Sequence, residues 1–304
     1  MLGLCASPAA AQSSPAAPRL VIIIHAEGLS SEMIERHRAN FTGGLGRLSR
    51  GTLFTNASAG EAGVAQLASA LGNSSVKVAV GGSPAPVGAG FTQNWSWNGQ
   101  RFAGRTGQAQ SQIIPVANQA IAMLISRAEP ALTLPPACAG STPSPRFARA
   151  SGDSTGFSAS PALDAAVLAV GAGLVGELRM GMDSATGMLM LELPATGRAA
   201  QVHGALSEAS CLQLLSLDRD LGGFFSQLDG GGIDYVVALA GSAAAGKATP
   251  LIFWRAGMTA SASAVPVSIS DLAPTMAPWL GVSMPVYNGA GRCLAEVAGT
   301  SCPR

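Results

Sequence analysis

The chain has 304 residues, enough to bury a full core as one large domain or two smaller ones. Only 12% of its residues are charged, against a usual quarter, with a formal net charge of +1 and 5% aromatics. The absence of a basic cluster argues against nucleic-acid binding, and the longest apolar run, residues 165–176 between Asp164 and Glu177, is too short to span a bilayer.

Residues 1–18 read as a signal-peptide remnant and linker. Ala9-Ala10-Ala11 fits a small-x-small cleavage site, Pro15 to Pro18 form a spacer, and the missing positive n-region places the true start upstream. This leader predicts a periplasmic or secreted protein. Leu4 before Cys5 fits a lipoprotein site poorly. Cleavage leaves Cys138, Cys211, Cys293 and Cys302, an even number that suits disulfides. Three pairings are open; the preferred one closes a short C-terminal ring through Cys293 and Cys302, leaving Cys138 with Cys211. No Cys/His cluster suggests structural zinc.

Val21 to Ile24 form an apolar run without polar alternation, as expected of a strand buried on both faces. It ends at His25-Ala26-Glu27-Gly28, and open α/β sheets place ligands at strand carboxyl ends. Ser30 then caps a helix reaching His37, which is expected to be solvated. A turn and short helix over 41–48 and a strand over Thr52–Asn56 follow, then a helix within 57–72. Residues 81–112 read as loops and edge strands, where Trp95 and Trp97 alternate with polar residues. That alternation fits a half-buried hairpin face, with an aromatic ligand platform as the other reading.

Val116 to Arg127 has helical spacing, and residues 130–149, rich in Pro, Ala and Ser, form a linker or surface loop. Ser160-Pro161 opens a helix, since Pro at the first position sacrifices no hydrogen bond. Strands are expected over 188–193, 235–240 and 251–254. Ser207 to Leu228 carries the clearest helical stripe, stopped by Gly230–Gly232, and a last helix spans 271–280. The alternation predicts an α/β fold, a mostly parallel central sheet with helices on both faces.

Several of these segments, in order, resemble the alkaline phosphatase superfamily on its type I phosphodiesterase/alkaline phosphatase branch. They are Leu20-Val-Ile-Ile-Ile, Phe41-Thr-Gly-Gly-Leu, Phe54-Thr-Asn-Ala, Leu214-Leu-Ser-Leu-Asp, Gly232-Ile-Asp-Tyr-Val-Val and Pro250-Leu-Ile-Phe-Trp. Ile269-Ser-Asp-Leu-Ala-Pro-Thr and Gly291-Arg-Cys complete the series, which covers roughly half of the chain. The resemblance implies one alkaline phosphatase-like domain over 19–304, with a loop-rich stretch at 81–150. It also implies two zinc ions and a Thr or Ser nucleophile attacking a phosphate ester in line.

The chain departs from that pattern at the reactive positions. Glu27 stands for the Asp that ends the first strand, and Gly63 falls where the nucleophile belongs. The family's Ala-Thr-Asp-x-x-Gly-His motif corresponds to Ala195 to Gln201, so Gly197 replaces the Asp and Gln201 the His. Its Thr-Ala-Asp-His-Gly motif corresponds to a stretch in which Ser242 and Ala243 replace Asp and His. The segment bearing the last His, before Pro250, is missing. Neutral Gln and Ser cannot hold Zn²⁺ as carboxylate or imidazole would.

The expectation is a catalytically inactive relative without a cofactor, with a binding or regulatory role in the cell envelope toward an unknown small ligand or protein partner. Gln93, Asn94 and Trp95 lie nearest the family's Asn-x-Trp-Tyr substrate-binding stretch. The first alternative is a weak metal-dependent phosphomonoesterase or phosphodiesterase using Glu27 with His25 and His203. The second, of another class, is nucleotide binding through Gly171-Ala-Gly-Leu-Val-Gly176, a G-x-G-x-x-G match with Glu192 about twenty residues on. Against it, the helix opened at Ser160-Pro161 already contains the glycines.

Overall fold

The computed structural model describes residues 17–60, 62–83, 90–242, 247–284 and 291–302. The cleavage-site reading near Ala9–Ala11 and the ligand position at Ala243 lie outside the described residues. β1 (Leu20–Ala26) runs through the middle of the sheet. Its alternate residues enter two cores: Leu20, Ile22, Ile24 and Ala26 one, Val21 and Ile23 the other. Each of the Leu, Ile and Val side chains, fully buried, contributes about 1.5–3 kcal/mol.

Along the chain follow α1 (Ser31–His37), α2 (Gly44–Leu48), β2 (Thr52–Ser58), α3 (Val64–Ala70), β3 (Lys77–Gly81), β4 (Gln93–Trp97), β5 (Phe102–Gly104) and α4 (Ile113–Ile125). Next come α5 (Ser154–Ser158), α6 (Pro161–Glu177), β6 (Gly187–Leu193), α7 (Ala195–His203), α8 (Glu208–Gly230), β7 (Tyr235–Gly241) and β8 (Thr249–Arg255). β9 (Ser261–Ser263), β10 (Val267–Ser268), α9 (Leu272–Met276) and α10 (Ala295–Ala298) complete the described elements. The strands form one sheet in the order β10-β2-β8-β7-β1-β6-β3-β4-β5, with β9 also on β2. Most pairings are parallel; β8 runs antiparallel to β2 and β7, and β5 to β4. Residues of α1, α2, α6 and α8 pack on one face, and residues of α3 and α9 on the other.

Polar side chains cap helices and anchor loops to this frame. Ser207 Oγ caps α8, accepting the Ser210 N–H at 3.1 Å. Asp218 on α8 accepts the N–H groups of Thr42, Gly43 and Gly46 at 2.9, 2.8 and 3.0 Å. Charge-assisted bonds of this kind fix the turn before α2 onto the helix. Asp271 likewise accepts the N–H groups of Ser268 and Arg292 at 2.9 and 2.8 Å, and Thr275 Oγ1 that of Leu294 at 3.0 Å.

The preferred cysteine pairing is the one observed: Cys138–Cys211 and Cys293–Cys302. The second closes a separation of 9 residues, so Cys293→Ser with Cys302→Ser is expected to cost about 2 kcal/mol in urea unfolding. Equal midpoints for parent and variant would contradict a stabilising bridge.

The structure corrects several expectations. The helix placed within 57–72 begins only at Val64, because β2 continues to Ser58 and Ala57 pairs with Thr249. His37 is buried, with Nδ1 3.8 Å from Cys211 Sγ. The nucleotide-binding alternative fails because Gly171–Gly176 lies within α6. A Cβ at Gly171 would lie 2.8 Å from Leu191 Cδ2, and one at Gly173 2.7 Å from Ile113 Cγ2, so these glycines admit close packing. Trp95 and Trp97 are 6% and 1% exposed. Trp97 packs against Phe102 and Phe157, which supports the hairpin reading over a ligand platform. Among the described residues, no helix is long and apolar enough to cross a membrane.

Candidate functional site

The carboxyl ends of β1, β6 and β7 are laced together by backbone bonds. Glu27 N–H donates to Leu193 O at 3.0 Å, and Ser242 N–H to Ala26 O at 3.3 Å. Gly28 N–H donates to Ser242 Oγ at 3.1 Å. Beyond these ends opens a cleft of about 580 Å³. Glu27, Gly28, Gly197, Gln201 and Ser242 line it together with Ser30, Glu32, Leu206 and Lys247. Four stations read from the sequence, at 27, 197, 201 and 242, therefore converge.

The floor of the cleft is a contact between two backbones. Gly28 has φ of +73°, a left-handed conformation that glycine adopts freely. A Cβ on it would fall 2.1 Å from Gly197 Cα, and a Cβ on Gly197 would fall 2.9 Å from Glu27 Cγ. The β1–α1 turn thus rests on the first turn of α7, and the room for a side chain at 197 is taken. That turn of α7 is held from behind by Asp164 on α6, which accepts the Ala195 N–H at 3.1 Å and the Gln213 Nε2–H at 3.0 Å. Burial pushes the Asp164 carboxyl up to about 7.

The other predicted residues are placed apart. Gly63 is the buried N-cap of α3, with φ of +65° and no hydroxyl to offer, and it is not among the residues lining the cleft. Gln93, Asn94 and Trp95 are buried on β4; Gln93 Oε1 accepts the Trp95 Nε1–H at 3.0 Å. None of these three lines the cleft. His203 closes α7, and neither it nor His25 is a lining residue.

His25 is the register partner of Glu192 on β6. Burial holds the imidazole below its ordinary value, partly offset by Glu27. Burial also raises the Glu192 carboxyl, with Glu27 adding to the rise, and its Oε2 finds no hydrogen-bond partner among the described residues. Sequence reading missed Glu192 as part of this neighbourhood, and Asp164 altogether. The signal for each was an acid set in or at the end of an apolar run.

These donors do not fit the pair of zinc ions that the resemblance implies. The cleft offers one carboxylate where a ligand belongs, with Gly197, Gln201 and Ser242 at the other converging stations. Among the described residues, no group of three or more His, Cys, Asp or Glu is placed to hold a metal ion.

No model of a protein family matches the chain. Alkaline phosphatase PhoK of Sphingomonas sp is 34% identical over 163 residues, covering 50% of this chain and 29% of that protein. Alkaline phosphatase PhoD of Zymomonas mobilis subsp. mobilis is 30% identical over 91 residues, 30% of this chain and 16% of that protein. The matched stretches thus cover less than a third of either relative. Wild-type alkaline phosphatase PafA is similar in fold, with a TM-score of 0.77 at 13% identity, over 94% of this chain and 100% of that one. Ps i-CgsB in complex with k-i-k-neocarrahexaose has a TM-score of 0.51 at 11% identity, over 89% of this chain and 73% of that one.

Proposed function

We propose that the chain is a catalytically inactive member of the alkaline phosphatase superfamily, exported to the cell envelope, whose cleft binds a ligand or partner without turnover. The observation that carries this reading is the contact of Gly28 with Gly197. It occupies the ground where a second ligand carboxylate would stand, so restoring the missing donor by substitution requires the backbone to move. Gly63, without a hydroxyl, supports the same reading from the nucleophile's side. The two disulfides suit an oxidising compartment and support export.

Purified protein is expected to carry no stoichiometric zinc and to hydrolyse neither p-nitrophenyl phosphate nor bis-p-nitrophenyl phosphate above background. Stoichiometric zinc, with turnover abolished by Glu27→Ala, would overturn the proposal in favour of the weak hydrolase.

A further inference from the structure

The same cleft has a charge distribution opposite to what a phosphate ester requires. Phosphate carries negative charge and needs cations or donors to hold it. Among the described residues, the only Lys or Arg lining the cleft is Lys247, and its Nζ lies 3.4 Å from Glu32 Oε2. That pair neutralises itself. Glu27 also lines the cleft and forms no ion pair among the described residues.

No other Lys or Arg among the described residues lines the cleft. Arg198, on the same helix as Gly197 and Gln201, donates to the backbone oxygens of Ser158 and Gly82. Residues 84–89 and 243–246 include no charged side chain, and residue 61 is an acid. The negative charge of Glu27 is felt by its neighbours: it opposes ionisation of Glu192 and Asp164 and favours protonation of His25. Gln201 and Ser242 add neutral groups, each both donor and acceptor, and bring no positive charge to the same cleft.

We infer that the cleft takes an organic cation, a ligand whose ammonium or guanidinium group pairs with the Glu27 carboxylate, and that it discriminates against phosphate. This rests on the reading of the chain as a non-catalytic binding protein and gives that reading a ligand class. Glu27 is exposed, so solvent screens the pair and the attraction is modest. The cleft's volume of about 580 Å³ falls within the range of small-molecule sites.

Calorimetric titration of the full chain with putrescine, agmatine and inorganic phosphate tests the inference, the two amines separating an ammonium from a guanidinium preference. At least one amine is expected to bind more tightly than phosphate. Its affinity should fall about twofold to fivefold with Glu27→Gln and weaken with added salt. Glu27 is exposed, so this variant is expected to fold, and a circular dichroism melt verifies that it has. Phosphate binding as tightly as either amine, no binding of either amine, or amine binding indifferent to Glu27→Gln in the folded variant would overturn the inference. Phosphate ester turnover in a parallel assay would instead strike the non-catalytic reading, so the two failures are distinguishable.

Discussion

Asp164→Asn is expected to stabilise the protein at pH 8 and to change it little at pH 4. Asp164 is 1% exposed, and moving its ionisation from the ordinary 3.8 to about 7 is worth on the order of 4 kcal/mol. Between those pH values the folded state keeps a proton that the unfolded chain has released. The contribution of this group to stability is therefore full below pH 4, falls as pH rises toward 7, and stays low above it. Asparagine removes the buried charge while keeping an oxygen for the Ala195 N–H. Its amide nitrogen can serve Gln213 Oε1, which is buried without a hydrogen-bond partner among the described residues, once the Gln213 amide turns over. Urea midpoints at pH 8 and pH 4 check this, with a gain of about 2–4 kcal/mol expected at the higher pH. Parallel pH profiles for parent and variant would show that Asp164 does not titrate in this window.

What the sequence revealed divides along a physical line. Val21 to Ile24 announced a central strand because a segment covered on both faces needs apolar residues throughout. The start of α8 was legible in Ser207, since an N-cap is a local interaction. His37 was misread because its polar neighbours dominate the local pattern. It stands four residues after Met33, on the buried side of α1, and that spacing was the available signal. The antiparallel course of β8 and the extension of β2 to Ser58 depend on pairing between distant segments, which short apolar runs do not encode. The convergence of positions 197, 201 and 242 with Glu27 was readable from the resemblance. The closure of space between Gly28 and Gly197 was not, because glycine in a sequence does not say what approaches it.

That contact also separates structural from chemical retention of the family pattern. Asp218 and Asp271 survive in the segments that resemble the family, and each ties loop N–H groups to the frame. The departures fall at Gly63, at the start of α3, and at Gly197, Gln201 and Ser242, which line the cleft and lie outside the two hydrophobic cores. Differences there leave both cores intact, so the fold does not depend on the residue types at these positions.

Gly28→Ala is expected to cost about 4 kcal/mol, combining a left-handed φ with a backbone collision. The new Cβ would meet Gly197 Cα at 2.1 Å and Gly197 N at 2.6 Å, and neither atom can turn aside as a side chain would. Gly197→Ala should cost less, about 1–2 kcal/mol. Its nearest neighbour at 2.9 Å is Glu27 Cγ, part of an exposed side chain, although the Glu27 backbone lies only 3.1 Å away. Urea unfolding of the two variants should therefore rank them clearly, and equal costs would show that the β1–α1 turn yields more easily than its contact with α7 implies. Gly197→Asp extends the comparison to chemistry. A carboxylate there must displace Glu27, the carboxylate that stands at the end of β1, so adding the second donor removes the first. The variant is expected to bind no more zinc than the parent, measured by metal analysis after equilibrium dialysis.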